Sequence, residues 1–385
     1  MSEYQFVTFR AVDAPLDDKQ LAFAERQSSR AEVTRWSLTC EYDYSSFRGD
    51  VDGLLRHGYD VYLQYTDYGC REIRLRLPRG LSFAKSVWSK YVDNELLRWN
   101  SDAKGSGGIL TVCPFHESLD YVWEDEEYLD EVIWIRDRLL KGDLRALYVL
   151  WLCAAGDENY DPRELIEPPV PHGIAAIAKH CEELLSFFGL DPLSLLAAGE
   201  DLPDAPPERD RNPVDHWLST LDEQLAKERL RRLLDGDTAS EKARLLAEIR
   251  DSASPADWPT TNKQRSFDEL RQRTVALREL ENEKQAREAL LKAQRDSEKA
   301  KRQRASRLKE MAKAPDKWLA EAARLVDARG TLNYKAAAET LYDLREAIGG
   351  TEGDQLARRH AAKLMKKYPS LNHLKAALRK RGLLE

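Results

Sequence analysis

The sequence contains no uninterrupted apolar run of the roughly 20 residues that a membrane-spanning helix needs. Its most apolar stretch, Leu144 to Ala155, is too short. The first residues, Met1, Ser2 and Glu3, begin neither a basic region nor an apolar segment of the kind found in secretory signals. We therefore expect a cytoplasmic protein with no membrane partner.

Cysteine is also scarce, and the chain has no Cys-x-x-Cys pair and no close Cys/His cluster. These absences argue against a disulfide scaffold and against a structural zinc site. No serine or cysteine stands in a nucleophile elbow, and the glycines at 105–108 lack the ending of a phosphate-binding loop, so they indicate a turn. We expect no metal, no cofactor and no catalytic residue, while an enzyme with unrecognised residues stays open. Five cysteines are expected to be reduced thiols that pack as small hydrophobic groups: Cys40, Cys70, Cys113, Cys153 and Cys181.

Charge is distributed unevenly along the chain. Residues 261–385 hold 30 Lys and Arg against 18 Asp and Glu, whereas residues 1–260 hold 30 against 49. The net charge of −7 conceals this contrast. Two interpretations stay open. In the first, the charge contrast is functional, and the two regions either bind different partners or bind each other. In the second, an acidic domain and a charged helix share one chain without functional consequence.

Residues 1–117 show strand-like segments separated by short helical ones. Tyr4 to Val12 is aromatic and β-branched, and Asp17 or Asp18 is placed to cap a following helix. Between Arg71 and Pro78 apolar and charged residues alternate, which predicts a strand in a sheet with one wet face. We expect a small α/β sheet domain here, followed by helices, and hence an α+β fold class.

The remaining chain is predicted to be almost wholly helical and divided by two proline-rich linkers. The predicted division is an α/β sheet domain at 1–117, a helical domain at 118–200, a linker at 201–213, helices at 214–251, a linker at 252–265, a long charged helix at 266–313 and a helical bundle at 314–385.

The predicted long helix changes character along its length. Phe267, Leu270, Leu277 and Leu280 begin a heptad seam, and the seam then fails. Acid-to-base pairs four residues apart take over, each worth about 0.2–0.5 kcal/mol. We expect a solvated helix that forms a coiled coil only near its beginning.

The last 72 residues read as four helices joined by Gly or Pro turns. Small residues on the first two helices allow close packing of a tetratricopeptide-like pair, although no 34-residue repeat is evident. A helical bundle is therefore predicted.

An acidic run, Glu124-Asp125-Glu126-Glu127, is a candidate contact for a basic partner. A divalent cation needs convergent oxygens, and a helical run spreads its carboxylates around the axis. The alternative is a solvated helix start whose acids are favoured by the helix dipole.

Basic residues late in the chain are the other candidates. Some crowd the end of the long helix, some share one face of the next-to-last helix, and some end the last helix. They predict contacts with nucleic acid or another anionic partner, the alternative being ordinary solvated helix surface. The candidates are Lys299, Lys301, Arg302, Arg304, Arg307, Lys309, Arg359, Lys363, Lys366, Lys367, Arg379, Lys380 and Arg381.

Short segments within the first 200 or so residues carry a family resemblance: Tyr4-Gln5-Phe6-Val7, Phe9-Arg10-Ala11-Val12-Asp13, Pro15-Leu16, Ser28-Ser29-Arg30-Ala31-Glu32-Val33, Phe47-Arg48-Gly49-Asp50, Thr66-Asp67-Tyr68-Gly69 and Gly142-Asp143-Leu144-Arg145-Ala146-Leu147-Tyr148. With these segments the chain resembles an uncharacterised family of bacterial proteins that are encoded near SWIM zinc-finger proteins. The resemblance implies a shared pathway and a common architecture. The family has no assigned activity, so the resemblance implies no catalytic residues.

Two functional hypotheses follow from the sequence. The first is a non-enzymatic adaptor or scaffold in which an acidic N-terminal module recognises a protein partner and the charged helix spaces it from a basic tail. The alternative is a nucleic-acid-associated protein that holds DNA or RNA through its basic C-terminal third. The sequence identifies neither the partner nor the oligomeric state.

Overall fold

A computed structural model describes residues 4–67, 69–93, 95–105, 107–116, 127–206, 213–235, 238–252 and 258–385. The chain divides into two compact units, Met1–Leu280 (unit 1) and Glu281–Glu385 (unit 2). Unit 1 contains an antiparallel sheet and helices, and unit 2 is helical throughout its described elements. The α+β prediction is confirmed.

Unit 1 is built on a seven-stranded sheet with strand order β2-β3-β1-β4-β5-β7-β6, in which every neighbouring pair is antiparallel. The strands are β1 (Tyr4–Arg10), β2 (Glu32–Val33), β3 (Ser37–Asp43), β4 (Val61–Thr66), β5 (Arg71–Leu77), β6 (Leu97–Ser101) and β7 (Gly108–Val112).

Strand β5 alternates between the two faces of the sheet as its sequence predicts. Its apolar residues lie in the larger core of unit 1: Ile73, Leu75 and Leu77. The charged face is drier than expected, because Glu72 is only 7% exposed and accepts a hydrogen bond from Arg74 Nε at 2.7 Å. Arg74 Nη1 also donates to Asp52 at 2.6 Å. Ion pairs between sheet and helix thus replace the predicted contact with water.

Two short helices, α1 (Asp18–Glu25) and α2 (Val51–His57), precede β2 and β4 in the chain. Asp17 forms a capping box with Gln20 at the start of α1, and Asp50 caps α2 by accepting from Gly53 N. The smaller core of unit 1 joins residues of both helices to the first strands, including Ala24, Leu54, Val7, Phe9 and Leu38.

Helices build the larger core of unit 1 together with the other face of the sheet. Helix α5 is at its centre, since all twelve of its residues are buried. The elements in this part are α3 (Lys85–Trp88), α4 (Glu127–Leu140), α5 (Leu144–Ala155), a 3-10 helix (Ile174–His180), α6 (Glu182–Phe187) and α7 (Ser194–Gly199).

A two-stranded ladder ties the segment before the long helix to this core. Strand β8 (Val170–Pro171) pairs with β9 (Thr260–Thr261), which lies inside the segment 252–265 predicted as a linker. Arg265 then pairs with the buried Glu167 through two hydrogen bonds of 2.6 and 2.9 Å. These contacts join residues about 90 positions apart, which local patterns cannot reveal.

Three helices lie between the two predicted linkers. They are α8 (Pro213–Thr220), α9 (Glu223–Asp235) and α10 (Thr238–Ser252). Helix α9 has no buried residue. It therefore contributes little to the apolar cores of unit 1.

The long helix α11 (Phe267–Lys313) begins in unit 1 and ends in unit 2. Phe267 and Leu270 are buried in the larger core of unit 1, so the predicted coiled-coil start is occupied by the chain's own core. Every residue at 282–307 is exposed, in agreement with a solvated helix, and Met311 is buried near its end.

Unit 2 adds four helices after the long one. They are α12 (Pro315–Asp327), α13 (Thr331–Ile348), α14 (Gly350–Lys367) and α15 (Asn372–Lys380). Their apolar residues form one core with small residues where helices approach closely, including Ala322, Ala337, Ala357 and Ala361. None of the described helices, in either unit, is both long and apolar enough to span a bilayer.

Candidate functional site

Helices α14 and α15 carry a segment with basic residues and no acid. Between Asp354 and Glu385 there are nine Lys and Arg and not one Asp or Glu. All nine side chains are exposed. We call these nine residues the basic surface: Arg358, Arg359, Lys363, Lys366, Lys367, Lys375, Arg379, Lys380 and Arg381.

Packing onto α13 directs this surface outwards. The buried residues of α14 recur at helical spacing, as Gly353, Ala357, Ala361 and Leu364, and those of α15 are Leu374 and Leu378. Gly353 permits a close approach, since a Cβ there would lie 2.6 Å from the carbonyl oxygen of Arg345. Once small residues and leucines fill the inner face, the lysines and arginines occupy the outer one.

Several acids that precede this segment in unit 2 are paired with bases. Arg304 Nη2 of α11 lies 2.6 Å from Glu346 and 3.5 Å from Asp343. Arg381 lies 3.1 Å from Glu339. Further pairs are Arg307 with Asp343, Lys367 with Asp327, and Arg345 and Arg358 with Asp354. These pairs neutralise part of the acidic charge of unit 2.

A cleft of about 600 Å³ lies among these ion pairs within unit 2. It brings together Arg304, Arg307 and Arg381, three of the predicted contact residues. Their charges face Glu339 and Asp343, so the cleft is not strongly cationic. Because α13 places these acids opposite the three arginines, part of their positive charge is neutralised within unit 2.

The other predicted bases are more available. Arg302 lies 3.9 Å from Glu298, a loose pair, and Arg379 donates to the carbonyl oxygen of Glu385 at 2.6 Å. Seven have no ion pair among the described residues, and all seven are exposed: Lys299, Lys301, Lys309, Arg359, Lys363, Lys366 and Lys380. Arg359, Lys363 and Lys366 follow one another at intervals of four and three residues, on one side of α14.

Aromatic rings beside the basic surface are covered by cations. The Arg307 guanidinium lies 5.6 Å from the ring centroid of Trp318, and that of Arg381 lies 5.3 Å from the centroid of Tyr342. Tyr368 donates to Asp327, and Lys367 Nζ lies 4.9 Å from its ring. Tyr334 is buried. Rings suited to stacking on unpaired bases are thus already engaged.

Two further bases were missed by the sequence reasoning, Arg358 and Lys375. Both are exposed on α14 and α15. The signal that identifies them is visible in the sequence, since it is the absence of any acid over residues 355–384. The bases do not form a continuous run, because apolar residues of the helix core separate them.

His360 lies within this basic segment and is half-buried. Burial lowers its pKa, and the neighbouring charge of Lys363 lowers it further. The imidazole therefore adds no positive charge to the surface at neutral pH.

Charged groups inside unit 1 serve a different purpose. The Arg136 side chain is 1% exposed, donates twice to Asp13 at 3.0 and 2.8 Å, and donates to Asp60 at 2.6 Å. Glu167 is equally enclosed, and it accepts from Tyr148 and Arg265. These clusters are satisfied internally, which indicates structural roles.

The acidic candidate contacts fall outside the described part of the structure. Glu124, Asp125 and Glu126 lie outside the described residues, as does the side chain of Glu127. Within the described part of the chain, no group of three or more His, Cys, Asp or Glu is arranged to hold a metal ion. In comparisons with known proteins, no family model, curated protein or solved structure matches the chain.

Proposed function

We propose that the chain is an adaptor whose unit 2 binds nucleic acid through the basic surface of α14 and α15. The observation that carries the proposal is a stretch of 30 residues with nine exposed bases and no acid. Each lysine or arginine that meets a phosphate releases a counterion, and this release drives binding without regard to sequence.

The preferred ligand is a duplex. Proteins that hold single strands stack bases on exposed aromatic rings, and the rings of Trp318, Tyr342 and Tyr368 are covered by cations or hydrogen-bonded. Arg359 and Lys366 are about 10 Å apart along the axis of α14, from the helical rise of about 1.5 Å per residue. Such a row is suited to follow a phosphate backbone.

Unit 1 does not have the excess of basic residues found in unit 2. Residues 1–280 hold 35 Lys and Arg against 52 Asp and Glu, whereas residues 281–385 hold 25 against 15. A net negative unit repels nucleic acid and suits a protein partner. The adaptor hypothesis assigns the two units to two different partners.

The test measures binding of the full chain to a fluorescein-labelled DNA duplex by fluorescence anisotropy, at about 50 and about 200 mM salt. The variant Arg359→Gln/Lys363→Gln/Lys366→Gln removes three bases for which the described part of the chain offers no ion pair. A matched control, Lys19→Gln/Arg26→Gln/Lys90→Gln, removes three exposed bases of unit 1. Both triple variants change the net charge equally.

The wild type is expected to lose about a thousandfold in affinity between the two salt concentrations if six phosphates are contacted. The α14 variant should lower the slope of log affinity against log salt by about 3, and the control should leave it unchanged. Equal effects of the two variants would show that only net charge matters. Absence of duplex binding at low salt overturns the proposal.

A single-stranded oligonucleotide of the same length tests the preference for a duplex. We expect weaker binding, because stacking adds about 1–3 kcal/mol per base only where rings are available. Stability of the α14 variant should remain within about 0.5 kcal/mol of the wild type, since exposed unpaired side chains contribute little to folding. Loss of binding can then be attributed to the surface itself.

A further inference from the structure

Two of the five cysteines lie together on the polar face of the sheet in unit 1. Cys70 directly precedes β5 and Cys113 directly follows β7, and these strands pair with Ile73 opposite Val112. Continuing that register places Cys113 opposite Glu72. Because side chains alternate along a strand, Cys70, Glu72 and Cys113 share one face, with the two cysteines as diagonal neighbours.

The two sulfur atoms are within hydrogen-bonding reach of each other. The Cys113 thiol donates to Cys70, and Gln64 Nε2 donates to Cys70 Sγ at 3.6 Å. Both cysteines are half-buried, so small oxidants reach them from solvent. Neither is in a disulfide.

The hydrogen bond between Cys113 and Cys70 shifts the pKa values of the two thiols in opposite directions. The bond from Cys113 lowers the pKa of Cys70, with a smaller contribution from Gln64, against the opposing effects of burial and of the Glu72 carboxylate. The same hydrogen bond raises the pKa of Cys113, and burial raises it further. The amide of Gln64, which donates to Cys70 Sγ, favours Cys70 as the thiolate of the pair.

The charged neighbours of the two thiols lie on strands β5 and β6. Glu72 faces both thiols, and its carboxylate is held by Arg74 Nε at 2.7 Å. The positive charge of Arg98 on β6 lowers the pKa of Cys113 and so opposes part of the increase.

The remaining cysteines differ from this pair in both burial and pKa. All three are buried: Cys40, Cys153 and Cys181. Burial raises the pKa of Cys40 to about 11, and it raises the pKa of the other two thiols as well. They are packing residues that react slowly, because the thiolate is the nucleophile.

We propose that Cys70 and Cys113 form a reversible oxidation site in which Cys70 reacts with a hydroperoxide and Cys113 closes a disulfide between β5 and β7. The Cys70 thiolate attacks the peroxide, the O–O bond breaks, and hydrogen peroxide releases water after taking up a proton. Cys70 is left as a sulfenic acid. The site lies in unit 1, so the inference is independent of nucleic-acid binding.

The second step forms the S–S bond. The Cys113 sulfur attacks Cys70, the S–O bond breaks, and the hydroxyl leaves as water with the proton of Cys113. Two thiols lose two electrons in total, and one hydrogen peroxide is reduced to two water molecules. The sulfur atoms must approach to about 2.05 Å, and both cysteines lie just outside the regular ladder, where the backbone adjusts more easily.

The experiment treats the full wild-type chain with equimolar hydrogen peroxide, blocks free thiols with N-ethylmaleimide, and maps peptides by mass spectrometry without reduction. We expect one cross-linked pair of peptides, joining Cys70 to Cys113, which dithiothreitol separates. Cys40, Cys153 and Cys181 serve as internal controls and should be labelled only after denaturation.

Two variants separate the roles of the cysteines. Cys113→Ser removes the resolving thiol, so dimedone should label the sulfenic acid at Cys70 at least ~10-fold more than in the wild type. Cys70→Ser should show no such labelling at Cys113. Far-UV circular dichroism checks the folding of each variant, and the wild-type peptide map decides the matter if either variant is misfolded.

Several results would overturn the inference. Peroxide could leave both thiols free for alkylation, or the cross-link could join a different pair of cysteines. Preferential labelling of Cys113 in place of Cys70 would contradict the assignment of roles.

Discussion

The two units use the same side chain, arginine, in opposite ways. In unit 1 Arg136 is enclosed and pairs with Asp13 and Asp60. In unit 2 Arg359 is exposed and has no ion pair among the described residues. A charge whose partners are internal stabilises the fold, and a charge without a partner is available to another molecule. Burial and ion pairing thus distinguish the two kinds of arginine better than their number does.

The first prediction concerns the buried arginine of unit 1 and has the largest expected effect on stability. Arg136→Ala leaves Asp13 and Asp60 without their counterion, and we expect the free energy of unfolding of unit 1 to fall by about 3–5 kcal/mol. Urea unfolding followed by tryptophan fluorescence reports on unit 1, because eight of the nine tryptophans lie in residues 1–280. Arg26→Ala, at an exposed position, should change stability by less than about 0.5 kcal/mol. Equal effects would refute the distinction.

A second prediction concerns α11, which changes along its length from a buried helix to a solvent-exposed one. Leu270 is fully buried and Leu290 is 59% exposed, although both belong to one continuous helix. Leu270→Ala should destabilise unit 1 by about 2–5 kcal/mol, since it opens a cavity in the core. Leu290→Ala should have an effect below about 0.5 kcal/mol. Chemical denaturation measures both, and a large effect at Leu290 would indicate an apolar contact that the chain itself does not supply.

The smallest expected effect concerns one histidine in each unit. Burial lowers the pKa of His116 and of His360 below the ordinary value of about 6.5. As the pH falls from about 7 to about 5, the unfolded chain takes up protons before the folded one, so stability decreases. His116→Gln and His360→Gln should each reduce that decrease.

Urea unfolding at both pH values, followed by circular dichroism, measures the difference. His373→Gln is the control, because His373 is exposed on α15. A variant that loses as much stability as the wild type over this pH range would show that its histidine does not titrate on unfolding.

Local patterns predicted the elements whose hydrophobic residues recur regularly. Helix α2 and helix α11 appear close to their expected limits because caps and turn residues mark their ends. Strand β6 was not predicted: it is an edge strand in which only Leu97 is buried, so its sequence lacks an alternating pattern. The pairing of β8 with β9 joins distant segments, and no local signal reports it.

The candidate site was predictable in part. Spacing along α14 correctly placed Arg359, Lys363 and Lys366 on one side of the helix. It did not show that Arg304 faces Asp343 and Glu346, because those contacts depend on how α11 packs against α13. Periodicity determines which face of a helix is polar, whereas the tertiary fold decides which charges on that face are neutralised.

The position of Arg136 in the chain has a consequence for biosynthesis. Its guanidinium donates hydrogen bonds to Asp13, Asp60 and the carbonyl oxygen of Arg76. Three segments in or beside the sheet therefore obtain a hydrogen-bond donor from one residue of α4. While the ribosome is still translating the sheet, two carboxylates destined for a dry interior have no counterion. We therefore expect the final packing of the sheet to follow the emergence of α4 from the ribosome.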